Sequence, residues 1–351
     1  MTSKFWVGLD VGEVSTAVCV LDHTGLPVLE CPSGSTADDI AESLAMFPLT
    51  NIAAVALETG ASPTLPPRLA KLGFPVSVFD SRKTSKVLAV RRHKTDINDA
   101  RGIAEIARLG GVPRLAVHVR GKEAQQIRTE LALRHRLVWL LTANRNCLRA
   151  MLRNYGSTIK QLGVGLAMGT KVEAEIEALE RTGMSDAART LRPLIELCAQ
   201  LHLSIRQTDK DLKRRAEGNP VTRRFLKIPG VGPICALSFY SAIDEPSRFH
   251  RPADVGPYLG MVPTLKQSGK VLRRSSISRA GDRLTRLHLV ISAGVMLSRA
   301  AQRCALSDWG SELAKRAGYG RARMAVGRKL AIVMLTMWQN NSEFEPYPVR
   351  R

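Results

Sequence analysis

Asp10 stands in Gly8-Leu9-Asp10-Val11-Gly12, directly behind an apolar run, and Glu58 follows Ile52-Ala53-Ala54-Val55-Ala56-Leu57 in the same way. A carboxylate that caps a run destined for a buried sheet is costly unless it is paired or bound to metal. On neighbouring strands the two would stand side by side. Asp96 and Asp99, in Lys94-Thr95-Asp96-Ile97-Asn98-Asp99-Ala100, are spaced i, i+3 behind a threonine suited to N-capping, which puts both on one face of a helix's first turn. Carboxylates converging from two strand ends and a helix repel one another unless divalent cations are bound, and an all-oxygen set selects Mg²⁺ or Mn²⁺. Two such ions are the usual machinery of phosphodiester chemistry. Each acid alone has a plainer reading. Asp10 in a Gly-x-Asp-x-Gly hairpin also suits the phosphate loop of an actin-like or sugar-kinase ATPase, and Asp96 and Asp99 also suit a helix dipole. The ATPase reading needs a second phosphate loop and a second subdomain of the same kind, and neither is visible downstream.

The second feature is Ser268-Gly269, flanked by Lys266 and Lys270 and followed by Arg273 and Arg274. Read as a basic loop, it offers a hydroxyl free of helix competition with cations nearby to hold a phosphate; an ordinary surface loop is the plainer alternative. Ser275, Ser276 and Ser278 compete for a nucleophile's role, although Ser278 is placed to N-cap a helix starting near Ala280. Arg273 and Arg274 suit a phosphate clamp or a merely solvated loop. Upstream, Pro229-Gly230-Val231-Gly232 opens an apolar helix running to about Ile243. That is the signature of a helix-hairpin-helix element, in which Gly230 and Gly232 let backbone amides approach a phosphate; a simple turn between helices reads the same way.

The elements that must position these residues follow from periodicity. Short Val- and Leu-rich runs at 4–9, 15–21 and 26–30 read as a meander of three strands. A helix follows Thr36 with acids in its first turn, then a buried strand at 52–57, a helix at 64–72, a strand at 75–79 ending before Asp80, and helices at 82–90 and 96–109. The order β-β-β-α-β-α-β-α matches a ribonuclease H-like domain. Residues 119–155 and 171–217 read as long, Arg-rich helices with a Gly-rich break at 156–169, a helical hairpin or coiled-coil arm whose usual use is self-association. The fold class is therefore α/β plus all-α, with limits at 1–112, 113–220 and 221–340 and a tail at 341–351.

Of 351 residues, 52 are Lys or Arg and 31 Asp or Glu, a formal net charge of +21. Residues 1–110 carry 11 basic and 12 acidic residues, so the remainder carries 41 against 19. All the excess lies behind the first domain, the electrostatic footprint of a polyanion ligand. Charge for solubility alone is the bland alternative, and an anionic membrane is disfavoured because no basic amphipathic helix adjoins an apolar anchor. The six cysteines form no C-x-x-C pair and read as free thiols of a reducing cytoplasm. With no basic-then-apolar leader and no long apolar stretch, a soluble intracellular protein is expected, with no membrane partner.

In order along the chain, Gly8-Leu9-Asp10, Leu57-Glu58-Thr59-Gly60, Lys94-Thr95-Asp96-x-x-Asp99-Ala100, Ile228-Pro229-Gly230-Val231-Gly232, Tyr258-Leu259-Gly260-Met261-Val262-Pro263, Gln267-Ser268-Gly269 and Ile277-Ser278-Arg279-Ala280-Gly281-Asp282 resemble the DEDD-type insertion-sequence transposases related to the Piv DNA invertase, described as bridge-RNA-guided recombinases. The resemblance implies a RuvC-like N-terminal domain whose Asp10, Glu58, Asp96 and Asp99 hold Mg²⁺, and a helical C-terminal transposase domain whose Ser268 attacks DNA. It also implies a transient phosphoserine link to DNA, a composite site shared between protomers, dimers that assemble to tetramers on DNA, and an element-encoded bridge RNA that pairs with donor and target DNA. Two other classes remain open: a RuvC-like junction-resolving nuclease using water, and a non-catalytic nucleic-acid-binding protein whose acids pair with its arginines.

Overall fold

The alternating Val and Leu runs of the first hundred residues form a five-stranded mixed sheet in the computed structural model, which describes residues 4–60, 63–89, 95–162, 166–268, 271–298 and 301–348. The chain divides into two units, Met1–Val119 and Arg120–Arg351. In the first, β1 (Phe5–Val11), β2 (Ser15–Leu21) and β3 (Pro27–Gly34) make the meander, followed by α1 (Ala37–Ser43), β4 (Ile52–Glu58), α2 (Leu65–Lys71), β5 (Val76–Phe79), α3 (Ser81–Leu88), α4 (Asp96–Arg108) and the short α5 (Val112–Leu115). The strand order is β3-β2-β1-β4-β5, with β1 antiparallel to β2 and parallel to β4. This is the mixed sheet the element order predicts for a ribonuclease H-like domain.

Strand alternation sends every second side chain to the same face. Val7, Leu9, Val18, Val20, Val55 and Leu57 pack under Ile40 and Leu44 of α1 and Leu65 and Leu69 of α2. The opposite face, with Trp6, Cys19, Leu21, Ala54 and Ala56, lies under α4 through Ala100, Ile103, Ala104 and Ala107. Thr36 caps α1 in a reciprocal capping box with Asp39, and Thr95 caps α4 by accepting from the Asn98 amide.

The second unit begins with α6 (Lys122–Asn154), α7 (Leu166–Arg181) and α8 (Ser185–Gly218). One helix was expected over 171–217; the chain instead reverses at Gly183, with φ +79°, and Met184 N–H closes on the Leu179 carbonyl at 2.9 Å. α6 and α8 run antiparallel, since Ile127 and Leu131 pack with Leu212 and Ala216 while Glu130 pairs with Arg215 and Arg134 with Asp209. Beyond this come α9 (Pro220–Phe225), α10 (Pro233–Ile243), α11 (Val255–Tyr258), β6 (Pro263–Ser268), β7 (Val271–Ile277), α12 (Arg283–Met296), α13 (Ala305–Ala317) and α14 (Tyr319–Gln339). Their core joins Phe225, Phe239, Leu289, Met296, Leu330 and Met334. No described helix is long and apolar enough to cross a membrane.

Two expectations for this unit need correction. The C-terminal part is not all helix, because β6 and β7 pair as an antiparallel hairpin, so Ser268 ends a strand rather than sitting in an open loop. Leu265 and Gln267 alternate toward Ser268, and a Gly at the first of two connecting positions is the sequence signal of a tight hairpin. Nor does Ser278 cap the next helix. Asp282 does, accepting from the Thr285 amide at 2.7 Å, and α12 starts at Arg283.

Candidate carboxylate site and serine hairpin

Asp10 continues the Trp6-Gly8 alternation of β1, and Glu58 continues the Ala54-Ala56 alternation of β4, so both fall on the face covered by α4. The parallel register Leu9↔Leu57 sets Asp10 beside Glu58 at the ends of adjacent strands, whose backbones lie about 4.8 Å apart. On α4 the buried stripe Ala100, Ile103, Ala104 and Ala107 extends backward, four residues at a time, onto Asp96 and Asp99. The direction of α4 completes the placement. Its last residue, Arg108, donates to the His23 carbonyl at 3.2 Å, in the turn after β2, and β2 ends where Leu21 pairs with Trp6 at the start of β1. The helix N-terminus therefore lies toward the strand ends that carry Asp10 and Glu58.

Two contacts hold α4 there. A Cβ on Gly8 would stand 2.0 Å from the Ala100 carbonyl oxygen and 2.5 Å from the Ala104 nitrogen, so the helix lies directly on β1 only because residue 8 is glycine. Arg101 forks onto Glu30 of β3 at 2.7 and 2.8 Å, and this bidentate guanidinium holds the Glu30 carboxyl below its usual range. Beside it, burial and then Glu30 push the Cys19 thiol up to about 12, so it stays protonated.

The all-oxygen donor set suits a hard divalent cation, and the backbone brings its elements to one end and one face of the sheet. The side chains are less converged: among the described residues no group of three or more His, Cys, Asp or Glu is gathered to hold a metal ion. Asp96 is exposed, while Asp10, Glu58 and Asp99 are half-buried.

In the second unit Ser268 pairs with Val271, which puts its backbone at the tip of the β6–β7 hairpin. Gly269 and Lys270 lie outside the described residues, as do the side chains of Ser268, Lys266, Arg273 and Arg274; so does Lys94 of the N-terminal motif. The base of the hairpin is an interlock of two backbone segments. A Cβ on Gly260 would meet the Ala280 carbonyl oxygen at 1.9 Å, and one on Gly281 would meet the Tyr258 carbonyl oxygen at 2.0 Å. Ser278 N–H donates to the Val262 carbonyl, Arg279 N–H to Gly260, and the Arg286 guanidinium to Leu259. Asp282, next to this interlock, forms an ion pair at 2.5 Å with Arg128 of α6. Burial opposes its charge, but Arg128 and the Thr285 amide outweigh burial and hold its carboxyl below the ordinary range.

Gly230 and Gly232 have different surroundings. At Gly230, φ +82°, a Cβ would stand 2.7 Å from the Ser292 carbonyl oxygen and 2.9 Å from the Met296 nitrogen, so packing on α12 already demands glycine there. Gly232 caps α10 with open space around it. From the sequence Asp282 is named only within a family motif, with no role assigned to it, to Arg128, to Glu30 or to Arg101. For Asp282 the signal was present, an Asp three residues before Thr285 at the head of an apolar helix.

A transposase profile of the DEDD IS110 type matches residues 7–157, the stretch that holds the four acids. A second profile, that of the IS116/IS110/IS902 family transposases, matches residues 222–307, the stretch that holds the hairpin and its base. The transposase for insertion sequence element IS1111A of Coxiella burnetii is 31% identical over 271 residues, 75% of this chain and 71% of that one. A probable family 20 transposase of Pseudomonas aeruginosa is 25% identical over 260 residues, 73% of this chain and 75% of that one. With both matched stretches in chain order and a relative aligned over most of its length, the chain belongs to the IS116/IS110/IS902 family of transposases.

Proposed function

We propose that this transposase cleaves and exchanges DNA strands with Ser268 as nucleophile, with Mg²⁺ (or Mn²⁺) held by Asp10, Glu58, Asp96 and Asp99, and with an element-encoded bridge RNA selecting donor and target DNA. The observation that carries the reading is the placement of all four acids: two neighbouring strand ends and one helix start, on one face and at one end of a ribonuclease H-like sheet. When bound there, divalent cations supply charge neutralisation at the pentacoordinate phosphorus and acidify a nearby hydroxyl.

Ser268 Oγ gives up its proton and bonds to phosphorus, while the bond from phosphorus to the departing sugar oxygen breaks and that oxygen takes a proton. A hydroxyl on the partner strand then attacks the phosphoserine and restores the serine. Each exchange trades one phosphodiester for another, so no high-energy co-substrate is required. Arg273 and Arg274, on the strand that pairs with the serine's, serve as phosphate clamps, and the α10 N-terminus at Gly232, open to solvent, suits a backbone phosphate. The antiparallel α6–α8 arm is the self-association element through which dimers assemble to tetramers on DNA.

The test is plasmid recombination by the purified full chain with Mg²⁺ and the RNA encoded beside its gene. Ser268→Ala and Asp10→Ala are both expected to abolish recombination, with a protein–DNA adduct trapped only by the wild type. Cutting by Ser268→Ala without any adduct would instead make this a hydrolytic, RuvC-like junction-resolving nuclease.

A further inference from the structure

Arg279, at the base of the serine hairpin, is one of three described non-glycine residues with positive φ, at +54°. Left-handed backbone is unfavourable for any residue with a Cβ, and glycine removes that cost. The same interlock carries glycine at positions 260 and 281, with φ +66° and +86°, yet keeps an arginine at 279. Its conformation is imposed from outside by the N–H bond to the Gly260 carbonyl at 3.2 Å and by the close approach of Gly260 to Ala280. Strain held by surrounding structure and not relieved by the available residue points to a use for the side chain.

That side chain is exposed and, among the described residues, has no acidic partner; the same is true of Arg283 on the first turn of α12. The nearby acid, Asp282, is already committed to Arg128 and to the Thr285 amide. A third guanidinium, Arg286, donates to the Leu259 carbonyl, and burial together with its neighbours Arg279 and Arg283 lowers it from its ordinary value despite Asp282. Three like charges thus lie at one place, Arg279 on strained backbone and Arg283 and Arg286 on α12, and the first two have no acidic partner among the described residues. An anion that enters from solvent relieves both their repulsion and their lack of partners.

We propose that Arg279, with Arg283 beside it, forms a phosphate-contact site at the base of the hairpin that grips the DNA backbone of the strand on which Ser268 acts. The assignment rests on the reading of DNA as substrate and adds to it the residues that hold the duplex in register with the hairpin. Gripping the backbone at a rigid base, rather than at the tip, fixes the distance from the held phosphate to the serine.

The experiment compares wild type, Arg279→Gly and Arg279→Lys as full chains, measuring binding to a mixed-sequence DNA duplex and to a structured RNA probe across a salt series together with the thermal midpoint. Arg279→Gly is expected to keep or raise the midpoint while affinity falls about tenfold near ~0.1 M salt and the salt slope drops by about 1, the signature of one lost phosphate contact. Arg279→Lys is expected to retain the slope. A lowered midpoint in Arg279→Gly, a DNA slope equal to wild type, or a loss confined to a structured RNA probe overturns the assignment. In those cases the wild type's own salt-dependent DNA binding leaves the DNA reading standing. A wild type that binds the duplex with no salt dependence overturns both.

Discussion

The acid-bearing unit and the serine-bearing unit place their chemistry in opposite ways. In the first, the candidate residues sit at the ends of regular elements, so the same alternation that buries Val7, Leu9, Val55 and Leu57 aims Asp10 and Glu58. In the second, Ser268 stands at the end of a ribbon whose strands pair mainly with each other, and all of its positioning is delegated to the interlock beneath. A site made by a sheet is precise wherever the sheet is stable. A site on a hairpin is only as precise as its base.

Matched glycine substitutions test this contrast and should have the largest effects. Gly8→Ala puts a Cβ against two backbone atoms of α4, and Gly281→Ala puts one against the Tyr258 carbonyl at φ +86°. Each is expected to destabilise its own unit by about 3 kcal/mol, as overpacking against backbone does. Gly8→Ala should also weaken Mg²⁺ binding, followed by calorimetry, whereas Gly281→Ala should leave Mg²⁺ binding intact and abolish adduct formation. The contrast breaks if Gly281→Ala still traps an adduct at the wild-type rate.

A smaller effect separates the units by pH. His288 on α12 is buried, and burial, with Arg134 and His135 adding to it, lowers it from 6.5 to about 4. As pH falls, the unfolded chain takes up this proton before the folded one does. Stability from His288 is therefore full above about pH 6.5 and declines between 6.5 and 4, by about 2 kcal/mol at pH 5. Three of the four tryptophans, Trp139, Trp309 and Trp338, lie in this unit, so fluorescence-detected urea unfolding at pH 7 and pH 5 reads it directly. His288→Gln should flatten the difference, and an equally steep loss in that variant would assign the acid sensitivity elsewhere. The smallest effect is at the first unit's helix cap. Thr95→Ala removes the acceptor for the Asn98 amide and should cost about 1 kcal/mol by urea unfolding, with Mg²⁺ affinity reduced because the cap orients Asp96 and Asp99.

These differences also explain what the sequence disclosed. Strands β1, β2 and β4, the caps Thr36 and Thr95, and the shared end of the four acids follow from period, propensity and one-residue spacing, all local signals. The break at Gly183 escaped because Thr182-Gly183-Met184 interrupts an otherwise helical apolar period by only three residues. The hairpin escaped because basic residues dominate 266–274 and masked its alternation. Ser278 is not the cap because its stretch is tied to the segment before the hairpin, Ser278 N–H to Val262, Gly260 against Ala280 and Gly281 against Tyr258, contacts between segments some twenty residues apart that no local pattern encodes. Gly230 shows the converse: its type was legible and its role was not, since a turn that welcomes phosphate and a turn that packs on α12 require the same residue.

The five residue steps of extended β6 from Pro263 to Ser268 span about 17 Å. That standoff exceeds the ~8.5 Å depth of a B-DNA major groove. Under the proposed reaction, a strand of that length carries Ser268 far enough to reach a phosphate across a groove. Strand length in β6 and β7 then acts as a ruler: shortening each by one residue withdraws the tip by about 3.4 Å, roughly the rise of one nucleotide along a strand.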